Sequence, residues 1–231
     1  MEINAAPIDL DLSEHTLIVG LMSDLTPVAG AEDVVESLDE AVLEAAKFEG
    51  KGGQTLRLAS EDAAALLLVG LGEDVTFESL RAAVGNAVRA TKTPLAATAL
   101  GGLEVDAADR AVVEGAILGS YEFRAYKTEG DPLPIESLAL LGADQSAIDT
   151  HIVGSEATNL ARDWVNTPAL DKAPSALAEK MVDAATAAGA TTEVWDRSKI
   201  ESEELGALLG VAAGSDRDPR VLLISHEPDN A

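Results

Sequence analysis

Residues Asn159 to Met181, NLARDWVNTPALDKAPSALAEKM, dictate a helix, a stop and a second helix. Ala157, Leu160, Ala161, Trp164 and Val165 recur at i, i+3, i+4 spacing, which lays one apolar stripe along a helix. Asn166-Thr167-Pro168 ends it, because the residue before a proline is pushed out of the α region and proline brings no backbone N–H. Pro174 suits the first turn of the next helix, where its missing donor would have no partner anyway. Leu177, Met181, Ala184, Ala185 and Ala188 carry the second stripe to Gly189, the expected C-cap.

The preceding residues alternate between strand and helix. Thr16 to Met22 (TLIVGLM) and Ala65 to Gly70 (ALLLVG) are short apolar runs that fit buried strands, Gly50-Lys51-Gly52-Gly53 turns the chain into Thr55 to Leu58, and Pro94 to Leu100 and Leu138 to Leu141 are further strands. After a loop over Asp24 to Asp33, a helix is predicted with Val34, Val35, Leu38, Ala41, Val42, Ala45 and Ala46 inward and Glu36, Asp39, Glu40 and Glu44 outward. Thr76 caps a helix burying Leu80, Ala83, Val84, Ala87 and Val88. Helical spacing returns over Asp106 to Glu122 through Ala108, Ala111, Val112 and Ile117, and Glu129-Gly130-Asp131-Pro132 is a loop. This order indicates an α/β domain with a largely parallel or mixed sheet. Downstream, a strand over Thr191 to Trp195, a helix around Ile200 to Leu209 and a strand over Arg220 to Ser225 are predicted.

An apolar fraction of 47% is ample for a core, while 3% aromatic leaves Ala, Leu and Val to fill it. No run approaches the ~18 apolar residues of a membrane span. The acidic N-terminus, MEINAAPIDLDLSEH, is unlike a signal peptide and places the protein in the cytoplasm. The absence of cysteine excludes disulfides and thiolate chemistry. Sixteen basic residues against 41 acidic give a net charge of −25, and no Lys/Arg run forms a basic face, which argues against a nucleic-acid partner. The excess reads as a solubilising surface, of the kind a salt-adapted or high-GC source gives.

The block Ala161-Arg162-Asp163-Trp164-Val165-Asn166-Thr167-Pro168, followed by Pro174 with Leu177-Ala178-Glu179, resembles the cytosolic leucyl aminopeptidase family. So do Leu205 to Ser215, Asp218-Pro219-Arg220 with Val221 to Ile224, and Glu114 to Tyr121 with Tyr126-Lys127-Thr128. The chain departs from the family pattern at Ala173, where Thr or Ser usually precedes the proline, and at Leu170, where asparagine is common. The resemblance implies a macro-domain-like α/β sandwich over 1 to 150, a connecting helix over 151 to about 170, and the truncated opening of a catalytic domain over 171 to 231. It also implies release of N-terminal amino acids from peptides, two divalent metals (zinc or manganese), and a cytoplasmic hexamer.

A two-metal peptidase site needs several converging carboxylates and a cation for the developing oxyanion. In the family these lie in a Gly-Lys-Gly segment followed by Thr-Phe-Asp, and in Asn-Thr-Asp-Ala-Glu-Gly-Arg. Gly50-Lys51-Gly52-Gly53 mimics the first, but Gln54-Thr55-Leu56 supplies no aspartate; Asn166-Thr167-Pro168 shares two residues with the second and lacks its acids. His15, His151 and His226 have no metal-ligand spacing and read as solvated or locally bonded side chains. Gly70-Leu71-Gly72 lacks the third glycine of a dinucleotide fingerprint, and no Gly-x-Ser-x-Gly occurs. Adjacent acids such as Asp39-Glu40, Glu61-Asp62 and Glu203-Glu204 read as solvated faces, and Trp164 and Trp195 as packing residues. No catalytic, metal-binding or cofactor-binding role is therefore assigned within the chain.

The expectation is a piece of a leucyl aminopeptidase that is inactive alone and cleaved by proteases after about Pro168. The alternative is a non-catalytic interaction or assembly module. DNA binding stands third, opposed by the charge.

Overall fold

The strand Ala65–Gly72 is buried along nearly its whole length, which only a strand covered on both faces can be. The protein is described by a computed structural model covering residues 1–28 and 38–227. Val34, Val35 and Glu36 of the expected helix, part of the Asp24 to Asp33 loop, and the terminal Asp229-Asn230-Ala231 lie outside the described residues. The chain forms two compact units, Met1–Leu160 and Ala161–Ala231.

In the first unit the strands are β1 (Glu2–Ala6), β2 (Thr16–Met22), β3 (Thr55–Leu58), β4 (Ala65–Gly72), β5 (Leu95–Thr98) and β6 (Ser137–Leu141). They form one sheet in the order β1-β6-β5-β2-β4-β3, parallel throughout except that β3 runs antiparallel to β4. Successive residues of β4 point to opposite faces, so two cores result. Leu67, Val69 and Leu71 join Ile18 beneath α2 (Phe77–Ala90) and α3 (Ala108–Gly119), with Leu80, Val84, Val88, Ala111 and Val112. Leu66 and Leu68 join Val19 and Leu21 on the other face, where Leu43 and Phe48 cover them. This is an α/β sandwich, as expected.

Thr76 caps α2 in a capping box: its hydroxyl accepts from Ser79 N while the Ser79 hydroxyl accepts from Thr76 N. All five apolar residues assigned to that helix are buried. The helix α1 (Glu40–Ala45) corrects the reading before it. Val42 is 43% exposed and Ala41, Ala45 and Ala46 face solvent, whereas Leu43 is 5% exposed. A six-residue helix turns one face inward, and the larger side chain, with Phe48 beyond the C-cap, takes it. The strand β1 was not foreseen; its register sets Ile3 beside Leu138 and leaves Glu2 and Asn4 exposed. The apolar run from Pro94 ends as a strand at Thr98 and continues into a 3₁₀ turn, Leu100–Gly102.

The helix expected over 151 to about 170 runs instead from Gln145 to Asn166 (α4). The Asp144 carboxylate accepts from Ser146 N at 2.7 Å and Ala147 N at 3.3 Å, and so starts the helix earlier. Its expected stripe is not a buried one: Ala157, Leu160, Ala161 and Val165 are exposed, Val165 by 75%, and Trp164 is half-buried.

The second unit holds α5 (Pro174–Ala187), β7 (Thr191–Trp195), α6 (Arg197–Ser202), α7 (Gly206–Ala212) and β8 (Val221–Ser225). Strands β7 and β8 pair antiparallel, Thr191 opposite Ser225 and Trp195 opposite Val221. Pro174 opens α5, and Gly189 (φ +79°) closes it in a Schellman motif: Ala190 N donates to Ala185 O and Gly189 N to Thr186 O. The single helix expected over Ile200 to Leu209 is two. Glu204 takes a left-handed conformation (φ +57°), Leu205 N donates to Ile200 O and Glu204 N to Glu201 O, so α6 stops as a glycine-capped helix would.

Candidate functional site

The turn between α4 and α5 is braced by hydrogen bonds among its own residues. Thr167 donates from both its N–H (3.0 Å) and its hydroxyl (2.7 Å) to Asp163 O. The Lys172 ammonium donates to the carbonyls of Trp164 (2.9 Å) and Val165 (3.1 Å), two of the acceptors a helix end leaves open. Asp171 N donates to Pro168 O, and Leu170, 76% exposed, takes no part in the core. Asn166-Thr167-Pro168 is thus a helix terminator.

The Gly50-Lys51-Gly52-Gly53 segment is a turn packed on the ends of β2 and β4. Gly50 has φ +64°, and a Cβ there would stand 1.9 Å from Met22 O; one on Gly70 would stand 2.1 Å from Lys51 O. The Gln54 side-chain oxygen accepts from Glu49 N and Lys51 N, and Lys51 pairs with Glu49 at the surface. Glycine is needed for close backbone approach, and among the described residues the ion pair of Lys51 is with Glu49.

In the second unit an open apolar cavity of about 420 Å³ is lined by Trp164, Met181, Ala184, Ala185, Ile224 and His226 among others. The inward stripe of α5 therefore borders a hollow on part of its length. Its walls can receive apolar groups, and His226 is the one titratable side chain among the lining residues. In the first unit a hollow of about 530 Å³ lies at the starts of α2 and α3, with Thr76, Phe77, Glu104, Asp106 and Arg110. Arg110 is already engaged there, 2.7 Å from Glu114 and over the Phe77 ring at 5.6 Å.

The three histidines stay apart in role. His151 Nε2 lies 3.5 Å from an Asp109 carboxylate oxygen, tying α4 to α3. His15 is half-buried with Nδ1 lacking a hydrogen-bond partner, and His226 is exposed. Among the described residues no group of three or more His, Asp or Glu side chains could hold a metal ion. The Asp11, Asp24 and Asp144 carboxyls are held below the usual carboxylate range, the first two chiefly by the backbone N–H of Ser13 and Thr26, the third chiefly by the Ser146 hydroxyl. Arg197 and Lys199 are raised, chiefly by hydrogen bonds to Asp218 and Glu203. All five are exposed turn or helix-end groups, which marks structural bonding. The Lys172 cap and the Asp109–His151 pair escaped the sequence reading, since neither has a local motif.

Compared with known proteins, the chain matches the family model for the cytosol aminopeptidase family, N-terminal domain, over residues 18–130, and that for the catalytic domain of the same family over residues 159–231. This chain belongs to the cytosol aminopeptidase family. A relative from Leifsonia xyli subsp. xyli, named probable cytosol aminopeptidase, is 32% identical over 230 residues, which are 95% of this chain and 46% of the relative. The bottromycin maturation enzyme BotP, solved in complex with Mn, superposes with a TM-score of 0.79 at 27% identity, over 94% of this chain and 46% of that one. A mutant tomato leucine aminopeptidase shares the fold at a TM-score of 0.77 and 22% identity, over 98% of this chain and 52% of that one. The chain spans about half the length of the curated relatives it matches. Among the described residues no helix is long and apolar enough to cross a membrane.

Proposed function

We propose that these residues form part of a cytoplasmic leucyl aminopeptidase that releases N-terminal amino acids from peptides with two divalent ions, zinc or manganese, in a hexamer. The observation that carries this reading is the ordered match to both domain models of one family on a single chain. Residues 1–150 are the amino-terminal macro-like domain, 151–170 the connecting region and 171–231 the opening of the catalytic domain. The metal ligands and catalytic groups of the whole enzyme lie outside residues 1–231.

Buried hydrophobics of the second unit are Ala178, Ala185 and Ile200 among the described residues, while Val165, Leu170, Val211 and Ile224 are exposed. That imbalance supports further polypeptide covering them in the whole enzyme. The 231-residue chain, given Mn²⁺ or Zn²⁺ and leucine p-nitroanilide, is expected to show no EDTA-sensitive turnover. A polypeptide extended in the same reading frame to the relatives' length is expected to hydrolyse it. Turnover by the short chain would overturn the placement of the site, and an inert long chain the activity itself. Limited digestion is expected to remove residues after about Pro168 first; equal resistance of 171–231 and 1–150 would overturn the boundary.

A further inference from the structure

The acidic excess is shared unequally between the two units. Residues 1–160 carry 28 acidic and 9 basic side chains, against 13 and 7 in residues 161–231. Among the described residues of the first unit, Lys and Arg pair with acids close in sequence: Lys51 with Glu49, Arg81 with Glu78, Arg110 with Glu114 and Arg124 with Glu122. Each such pair neutralises a neighbour, and the nine basic side chains together leave a net charge of −19 on residues 1–160. The clearest case is the junction of the loops that lead into β2 and β4. Ala64 N donates to Leu12 O (3.2 Å) and His15 O (3.0 Å), which binds the two loops together. The first bears Asp9, Asp11 and Glu14, the second Glu61 and Asp62, all exposed. No described Lys or Arg comes within ion-pair distance of these five; His15, on the first loop, is the one other titratable group of the seam.

Folding ties the backbones of the two loops together, so their like charges are held nearer to one another than in the unfolded chain. Their repulsion therefore opposes the native state. Dissolved salt weakens it as the screening length shortens from ~30 Å at 0.01 M to ~10 Å at 0.1 M and ~3 Å at 1 M.

We propose that the fold of the first unit is conditional on ionic strength, with the seam between loops 7–15 and 59–64 as its most salt-sensitive part, while the second unit responds far less. The chain supplies its own probes. Both tyrosines, Tyr121 and Tyr126, belong to the first unit, and both tryptophans, Trp164 and Trp195, to the second. Thermal unfolding of the whole chain is followed by second-derivative ultraviolet absorbance in NaCl from about 0.02 to about 0.5 M, the range in which screening changes most. The tyrosine midpoint is expected to rise by about 5 °C or more, and the tryptophan midpoint by less than half as much.

A fourfold variant (Asp9→Asn, Glu14→Gln, Glu61→Gln, Asp62→Asn) is expected to unfold at higher temperature in low salt and to lose at least half of the salt-driven rise. A matched variant of the second unit (Glu179→Gln, Asp183→Asn, Glu204→Gln, Asp216→Asn) should keep that rise. A tyrosine midpoint that is flat across the salt range overturns the proposal, as does an equal response of the two variants. If both probes move in one transition, the variant comparison decides between the units.

Discussion

Gly119 of α3 meets Gly85 of α2 so closely that a Cβ built on Gly119 would stand 2.5 Å from the Gly85 Cα. One turn earlier, a Cβ on Gly115 would stand 2.4 Å from Arg81 O. The neighbouring atoms are backbone, which cannot swing aside, so the two helices cross at a distance that glycine sets. Gly119→Ala is expected to destabilise the chain by about 1–3 kcal/mol through overpacking, despite alanine's better helix propensity. Gly154→Ala, at a position of α4 where an added Cβ meets nothing within 4 Å, should instead stabilise by about 0.5–1 kcal/mol. Urea midpoints of the two variants should move in opposite directions.

Leu43 and Val42 test the orientation of α1. Leu43 sits in the cluster of Val19, Leu21, Phe48, Leu66 and Leu68, and Leu43→Ala should cost about 2–5 kcal/mol. Val42→Ala should stay within about 0.5 kcal/mol, as an exposed change does. Similar losses at both positions would mean that α1 is turned the other way.

Lys172 closes α4 by donating to two carbonyls that nothing else in the helix can satisfy. Lys172→Met keeps most of the aliphatic stem and removes the donor. It is expected to lower the stability of the second unit by about 0.5–1.5 kcal/mol, read by the fluorescence of Trp164 and Trp195. Ala173→Ser should act in the opposite sense, because Ala173 is the N-cap of α5 and has no side-chain acceptor; a gain of about 1 kcal/mol is expected.

Asp144 gives α4 its start, and its carboxyl is held below the usual range by the Ser146 hydroxyl and the N–H groups of Ser146 and Ala147. A folded-state pKa depressed below the unfolded one contributes stability above the unfolded value, about 4, which is lost as pH falls through the folded value. Asp144→Asn should therefore flatten the stability profile below about pH 4 relative to the parent and leave its slope near pH 7 unchanged. Denaturation midpoints taken at half-unit pH steps measure this; identical acid limbs in parent and variant would show that the cap contributes nothing to the pH dependence.

Wherever local pattern and burial coincide, the fold was legible in the residues. β2 has the bounds its apolar run predicts, Thr76 caps α2, and Pro174 and Gly189 bracket α5 because φ restriction and φ freedom act on the spot. Legibility failed where a partner distant in sequence decides. β1 is five residues with one buried apolar side chain, and it becomes a strand by pairing with β6, far along the chain. The stripe from Ala157 to Val165 has helical periodicity, and periodicity says which side chains share a face without saying what covers that face.

The residues by themselves determined the helix-stop-helix block, the alternation of strand and helix, and the family, because these depend on short-range sterics and on the order of motifs. The tertiary structure alone decided the strand order β1-β6-β5-β2-β4-β3, the burial of Leu43 in place of Val42, and the glycine contact between α2 and α3. It also decided that the Gly50-Lys51-Gly52-Gly53 turn packs its backbone against two strand ends with Lys51 at the surface. Each of these depends on which surfaces meet across the sheet, and that is settled by long-range packing.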